Sequence, residues 1–154
     1  MKIVRNIPVL LMVLALLLVF GCKKKKDAEP DPEAEAIAKL VSGAWIATAV
    51  ALDTEDRTAD FSNFSLTITE NKTYSTSGVD PIYSSVWPSS GSWDFKSSGS
   101  AIPDLTIIIR DGSLEMDIDV LSETQFILSF TFVTGSMEGT SGTEGDYIFS
   151  MAHN

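Results

Sequence analysis

Leu105-Thr106-Ile107-Ile108-Ile109-Arg110-Asp111-Gly112-Ser113-Leu114-Glu115-Met116-Asp117-Ile118-Asp119-Val120 consists of two apolar runs around an Asp-Gly pair. Asp-Gly between such runs signals a two-residue hairpin, because a type I′ turn needs positive φ at both central positions. That turn pairs Ile109 with Leu114, Ile107 with Met116 and Leu105 with Ile118 on one face. Thr106 then meets Asp117, and Ile108 meets Glu115, on the other. A slip of one residue would scatter the apolar set. The next run, Gln125 to Val133, places Phe126, Leu128, Phe130 and Phe132 on one side. A short link through Ser122 to Thr124 pairs Val120 with Phe126, Ile118 with Leu128, Met116 with Phe130 and Leu114 with Phe132. Three consecutive strands thus form a meander with one continuous apolar side.

The same alternation runs outward from this meander. Phe64, Leu66 and Ile68 precede a turn at Glu70-Asn71-Lys72, with Tyr74 on the same face beyond it. Trp93 and Phe95 mark another strand, and Tyr147, Phe149 and Met151 the last. The first strand is ambiguous: Trp45, Ala47 and Ala49 lie on one side, and Ile46, Thr48 and Val50 on the other. With Trp45 inward, the alanines leave room in the interior. Before it, Asp31 as N-cap and Pro32 at the first helical position open a short helix whose apolar face is Ile37, Leu40 and Val41, ended by Gly43. The fold class read from this pattern is all-β, an antiparallel up-and-down barrel of about eight strands with a short N-terminal helix. Closure removes the unpaired edges that an open meander exposes.

The beginning of the chain is a different kind of segment. Lys2 and Arg5 precede an apolar run from Ile7 to Phe20, about 14 residues and short of the roughly 20 that a spanning helix needs. It ends in Val19-Phe20-Gly21-Cys22, followed by Lys23 to Lys26. This resembles a bacterial lipoprotein signal. The resemblance implies a signal peptide over 1–21, lipidation of Cys22 and a membrane attached through that anchor. Residues 22–35 then read as a tether, acidic and Pro-containing from Asp27 to Glu35, and 36–154 as the barrel domain. Lys23 directly after the cysteine favours outer-membrane sorting by the same resemblance, facing either the periplasm or the cell surface.

Several chemistries are excluded. Cys22 is the only cysteine and His153 the only histidine, so a disulfide framework, a Ser-His-Asp triad and a multi-histidine metal centre are not expected. From Glu33 onward five basic residues stand against 18 acidic ones, a net charge near −13 that repels phosphate backbones, so nucleic acid is not an expected partner. The acidic groups Asp53, Glu55, Asp56 and Asp60, and the pair Asp117 and Asp119, lack the spacing of a calcium loop and read as solvated surface. No catalytic residue, metal or cofactor is expected.

Gly43-Ala44-Trp45, taken with Gly91-Ser92-Trp93-Asp94-Phe95 and Gly145-Asp146-Tyr147-Ile148-Phe149, is similar to the lipocalin-like lipoproteins of Bacteroidetes over Leu40 to Met151. That resemblance implies a calycin-type barrel. An eight-stranded barrel is either filled by side chains or holds one small ligand, and the large inward candidates here fill most of it. The stretch Gly78 to Ser90 carries Ile82, Tyr83, Val86 and Trp87, too apolar for a free loop, and is expected to fold over one mouth. Tyr83 and Trp87, with Trp45, are the candidate contacts for a small apolar or glycan-like ligand; the competing reading makes them a plug. A partner protein of the envelope is the alternative occupant, on outward Ile108, Ile127, Val133 and Ile148. The stretch Thr134 to Gly145, rich in Gly, Ser and Thr, reads as a polar loop.

Overall fold

A computed structural model describes residues 30–97, 99, 102–134 and 142–153. The signal segment, Cys22 and most of the tether lie outside them, as does the middle of the loop after Thr134. Helix α1 runs Pro32–Leu40, with the Asp31 carboxylate accepting from the amide of Glu33 at 3.0 Å. This cap takes Pro32 to Glu35, the last part of the stretch read as tether, into the first helical turn. Nine strands follow: β1 Ala44–Leu52, β2 Glu55–Asp56, β3 Ser65–Ile68, β4 Thr73–Ser77, β5 Ser90–Lys96, β6 Asp104–Arg110, β7 Leu114–Leu121, β8 Gln125–Phe132 and β9 Gly145–His153. β2 is a two-residue ribbon on the end of β1. The other eight form an antiparallel up-and-down order, and β9 pairs with β1 to close it into a barrel.

The core lies inside this barrel. α1 covers the end where β1 begins and β9 finishes: Leu40 is fully buried and Ile37 and Val41 pack against the core. The opposite end, where β1, β4, β6 and β8 finish, is filled by the segment between β4 and β5. Phe64, Leu66, Ile68, Tyr74, Trp93 and Phe95 point inward as their alternation requires.

Three registers differ from the sequence reading. Arg110, not Ile109, pairs with Leu114, and Ile108 pairs with Met116, so the turn is Asp111 to Ser113, three residues rather than two. Asp111 and Gly112 both take positive φ, 51° and 74°, and the amide of Ser113 donates to the Arg110 carbonyl at 3.1 Å. Ile108 and Arg110 therefore point into the barrel and Ile107 and Ile109 away from it, so Ile108 leaves the set of outward residues. Asp111 explains the shift: its carboxylate accepts from the Tyr74 hydroxyl at 2.7 Å and from the Ser92 amide at 2.9 Å. Between β7 and β8, Ile118 meets Leu128 as expected, but a bulge follows, so Val120 meets Ile127 and Leu121 takes the place beside Phe126. In β1 a bulge at Thr48, whose hydroxyl donates to the Ser150 carbonyl, switches the faces. Val50 and Leu52 then fill the interior and Ala49 is exposed. The room expected beside the alanines is occupied.

Two motif glycines are required by close approach. A Cβ on Gly91 would lie 2.1 Å from the Asp111 carboxylate and 2.7 Å from the Tyr74 oxygen. On Gly145, at φ 142°, it would lie 2.7 Å from the Asp53 carboxylate.

Candidate functional site

The segment between β4 and β5 is built as a plug. Asp80 caps a 3₁₀ turn over Pro81–Tyr83, its carboxylate accepting from the Ile82 amide at 3.0 Å. Proline at the first position and this cap turn the chain inward. Ile82 stays 64% exposed, while Tyr83, Val86 and Trp87 are buried. The Tyr83 hydroxyl donates to Asp60 at 2.8 Å, tying the plug to the connection after β1, and the Tyr83 ring lies 4.6 Å from Phe61. The Thr76 hydroxyl donates to the Pro88 carbonyl at 2.8 Å and fixes the exit.

Trp87 is the centre of the filled mouth. Its ring lies 5.2 Å from Phe64, 5.4 Å from Phe149 and 5.9 Å from Phe130 between centroids, and it is only 2% exposed. Arg110 reaches it from β6: Nη1 donates to the Val86 carbonyl at 2.6 Å, and the guanidinium carbon lies 4.9 Å from the Trp87 ring centre. Burial pushes the Arg110 guanidinium below its ordinary value, opposed by Tyr74 and Asp111. Burial and the bond to Asp111 push the Tyr74 phenol up, and burial and the bond to Asp60 do the same for Tyr83. Among the described residues two buried donors here make no hydrogen bond, Trp87 Nε1 and Arg110 Nε, the latter lying 3.4 Å from the Asp111 carboxylate as an ion pair. The cavity beside them, bordered by Ile108, Met116 and Leu128, measures about 20 Å³, room for about one water molecule.

Trp45 is not brought to this mouth. It lies at the helix end, where its Nε1 donates to the Leu40 carbonyl at 2.9 Å and its ring stacks on His153 with centroids 3.7 Å apart. The three candidate ligand contacts therefore divide into a pair at the plug and a single ring under α1. Sequence reasoning passed over Arg110, Asp111 and Asp60, which hold the plug, and His153, which covers Trp45. The one signal for the first of these was a lone cation closing an otherwise apolar strand. Among the described residues no cluster of three His, Cys, Asp or Glu is placed to hold a metal ion. Among them, too, no helix is long and apolar enough to cross a membrane.

Compared with protein-family models and with curated proteins, the chain matches none.

Proposed function

We propose that this chain is a non-catalytic, lipid-anchored envelope protein whose filled barrel is a scaffold, presenting its outer surface to a protein partner. The observation that carries this reading is the burial of Trp87 at the centre of the mouth, beside a cavity of about 20 Å³, against the roughly 300 Å³ or more of a small-molecule pocket. The anchor rests on Val19-Phe20-Gly21-Cys22 and the lysines after it, and kinship with the lipocalin-like lipoproteins of Bacteroidetes on the three Gly-aromatic motifs. Outer-membrane placement, periplasmic or surface-facing, belongs to the same proposal. Cys22→Ser should move the protein from the detergent phase to the aqueous phase on Triton X-114 partition; unchanged partition would remove the anchor from the proposal. In-cell photo-crosslinking from the barrel surface tests the partner.

A second reading has its own observation. The indole donor Trp87 Nε1, without a hydrogen-bond partner among the described residues, suits an acceptor-bearing apolar or glycan-like ligand that displaces the plug. Native mass spectrometry of the full chain purified from its envelope separates the two: a retained small molecule supports the ligand, and the bare protein mass supports the scaffold.

A further inference from the structure

A concavity lies on the outside of the barrel, across β7, β8 and β9. It is a groove of about 700 Å³. Two of the most exposed large apolar side chains of the described residues line it, Val133 at 72% and Ile148 at 44%. The acidic side chains Glu115, Asp117 and Asp146 line it too. Lys96 engages Glu115 at 2.7 Å, whereas Asp117 and Asp146 form no ion pair among the described residues. The floor is unusual for a barrel. β7 starts at Leu114 and β8 runs to Phe132, yet their ladder stops at Asp117 opposite Ser129. Past that point Leu114 to Met116 pair with β6 and Phe130 to Phe132 with β9, but not with each other.

Resting on the scaffold reading above, we infer that this groove is the docking surface for an extended, Lys- or Arg-bearing segment of a partner protein with aliphatic side chains between its cations. Charge selects the occupant. A second copy brings the same excess of carboxylates, and anionic lipid or nucleic acid meets the same repulsion. A cationic chain instead finds two unneutralised carboxylates, Asp117 and Asp146, flanking two exposed aliphatic residues. An extended backbone also suits the interruption of the β7–β8 ladder, and its side chains on one face are spaced by two.

The test uses the full chain in detergent micelles and fluorescein-labelled peptides of alternating Lys and Val, Glu and Val, or Lys and Ser, read by anisotropy. The Lys-Val peptide should bind, and its affinity should fall as salt rises. Asp117→Asn with Asp146→Asn, and separately Val133→Ser with Ile148→Ser, should each weaken it about tenfold or more. Glu55→Gln with Asp56→Asn, remote on β2, should leave affinity within about twofold, a screened long-range effect. Circular dichroism melts show that the surface variants fold. Equal binding of the Glu-Val peptide, or wild-type affinity in both groove variants, overturns the groove assignment, and equal binding of the Lys-Ser peptide overturns its apolar half. If the peptides fail while photo-crosslinking from another face traps a partner, the groove falls and the scaffold reading stands. If crosslinking from every face also yields nothing, both fall.

Discussion

Arg110 and Trp87 lock the barrel mouth together: the guanidinium carbon lies 4.9 Å from the indole ring centre, while Nη1 donates to the carbonyl of the preceding residue, Val86, at 2.6 Å. One inward cation thus holds both the main chain and the central side chain of the plug. Arg110→Ala orphans a buried carbonyl and opens space beneath the indole, so it should lower unfolding free energy by about 3 kcal/mol in urea titrations. Arg110→Met keeps most of the volume and should cost less than half as much. In both, amide exchange at Tyr83 to Trp87 should accelerate more than at the β8 amides.

Trp87 separates packing from hydrogen bonding, because its indole N–H has no hydrogen-bond partner among the described residues. Trp87→Phe discards an unsatisfied donor along with one ring and should cost only about 1–2 kcal/mol. Trp87→Ala should cost about 4 kcal/mol and leave a dry cavity among Phe64, Phe130 and Phe149. Added indole should raise the melting temperature of Trp87→Ala and leave that of the wild type unchanged. Thermal scans with and without the compound check this.

The tyrosines give an alkaline limit to stability. Tyr74, Tyr83 and Tyr147 are all pushed above the ordinary phenol value, with burial the leading cause in each and bonds to Asp111 and Asp60 adding for the first two. In the unfolded chain these phenols lose their protons near pH 10, as a free tyrosine does, while the folded chain keeps them. The unfolded state then binds fewer protons, so stability is complete below about pH 10 and falls as pH rises beyond it. Urea midpoints at pH 9 and 11 should show the drop. Tyr74→Phe should make it smaller, while lowering stability at pH 8 by about 1 kcal/mol through the lost bond to Asp111.

Glycine requirements differ sharply along the chain. Gly91→Ala drives a methyl group into the Asp111 carboxylate and the Tyr74 ring, so Asp111 must leave the Ser92 amide or β5 must move. We expect a loss of about 2 kcal/mol or more by chemical denaturation. Gly142→Ala meets open space at ordinary φ and should change stability by less than about 0.5 kcal/mol. Equal effects of the two substitutions would show that the Asp111 network does not set the β6–β7 register.

That register also shows where sequence reading reaches and where it stops. β8 carries a phenylalanine or leucine at every second position, so its inward face follows from period alone. The plug is legible because Tyr83, Val86 and Trp87 are costly to leave in water among serines and prolines. β6 offers isoleucine in both parities, at Ile107, Ile108 and Ile109, so alternation has no power to choose between them. The choice is made by Asp111 reaching Tyr74, 37 positions earlier, and by Arg110 reaching Val86, 24 positions earlier. Such long-range polar bonds leave no periodic trace. The same holds at β1, where small residues on both faces hide the bulge at Thr48 that turns Val50 and Leu52 inward.

His153 makes the corresponding joint at the helix end, where the chain from the proposed anchor enters the domain. Its ring stacks on Trp45 at 3.7 Å with 28° between planes; Nδ1 lies 3.1 Å from the Ala44 carbonyl and Nε2 2.7 Å from the Ser42 hydroxyl. A carbonyl only accepts, so Nδ1 must carry a proton, and the ring is held in one orientation between β1 and Ser42, the second residue after α1. Trp45 in turn donates to Leu40, the last residue of α1, so the histidine braces the helix through the indole it covers. His153→Phe keeps a stacking ring but loses both polar contacts and should cost about 1 kcal/mol. His153→Ala also uncovers Trp45 and should cost about 2 kcal/mol, the ring pair adding to the two bonds. Trp45 emission should shift to the red in His153→Ala and stay near wild type in His153→Phe. The helix should fray from its C-terminal end in the alanine variant, seen as faster exchange of the Val41 amide, which donates to Ile37 at 3.0 Å. Unchanged exchange at Val41 with a red-shifted Trp45 would show instead that the histidine shields the indole without bracing α1.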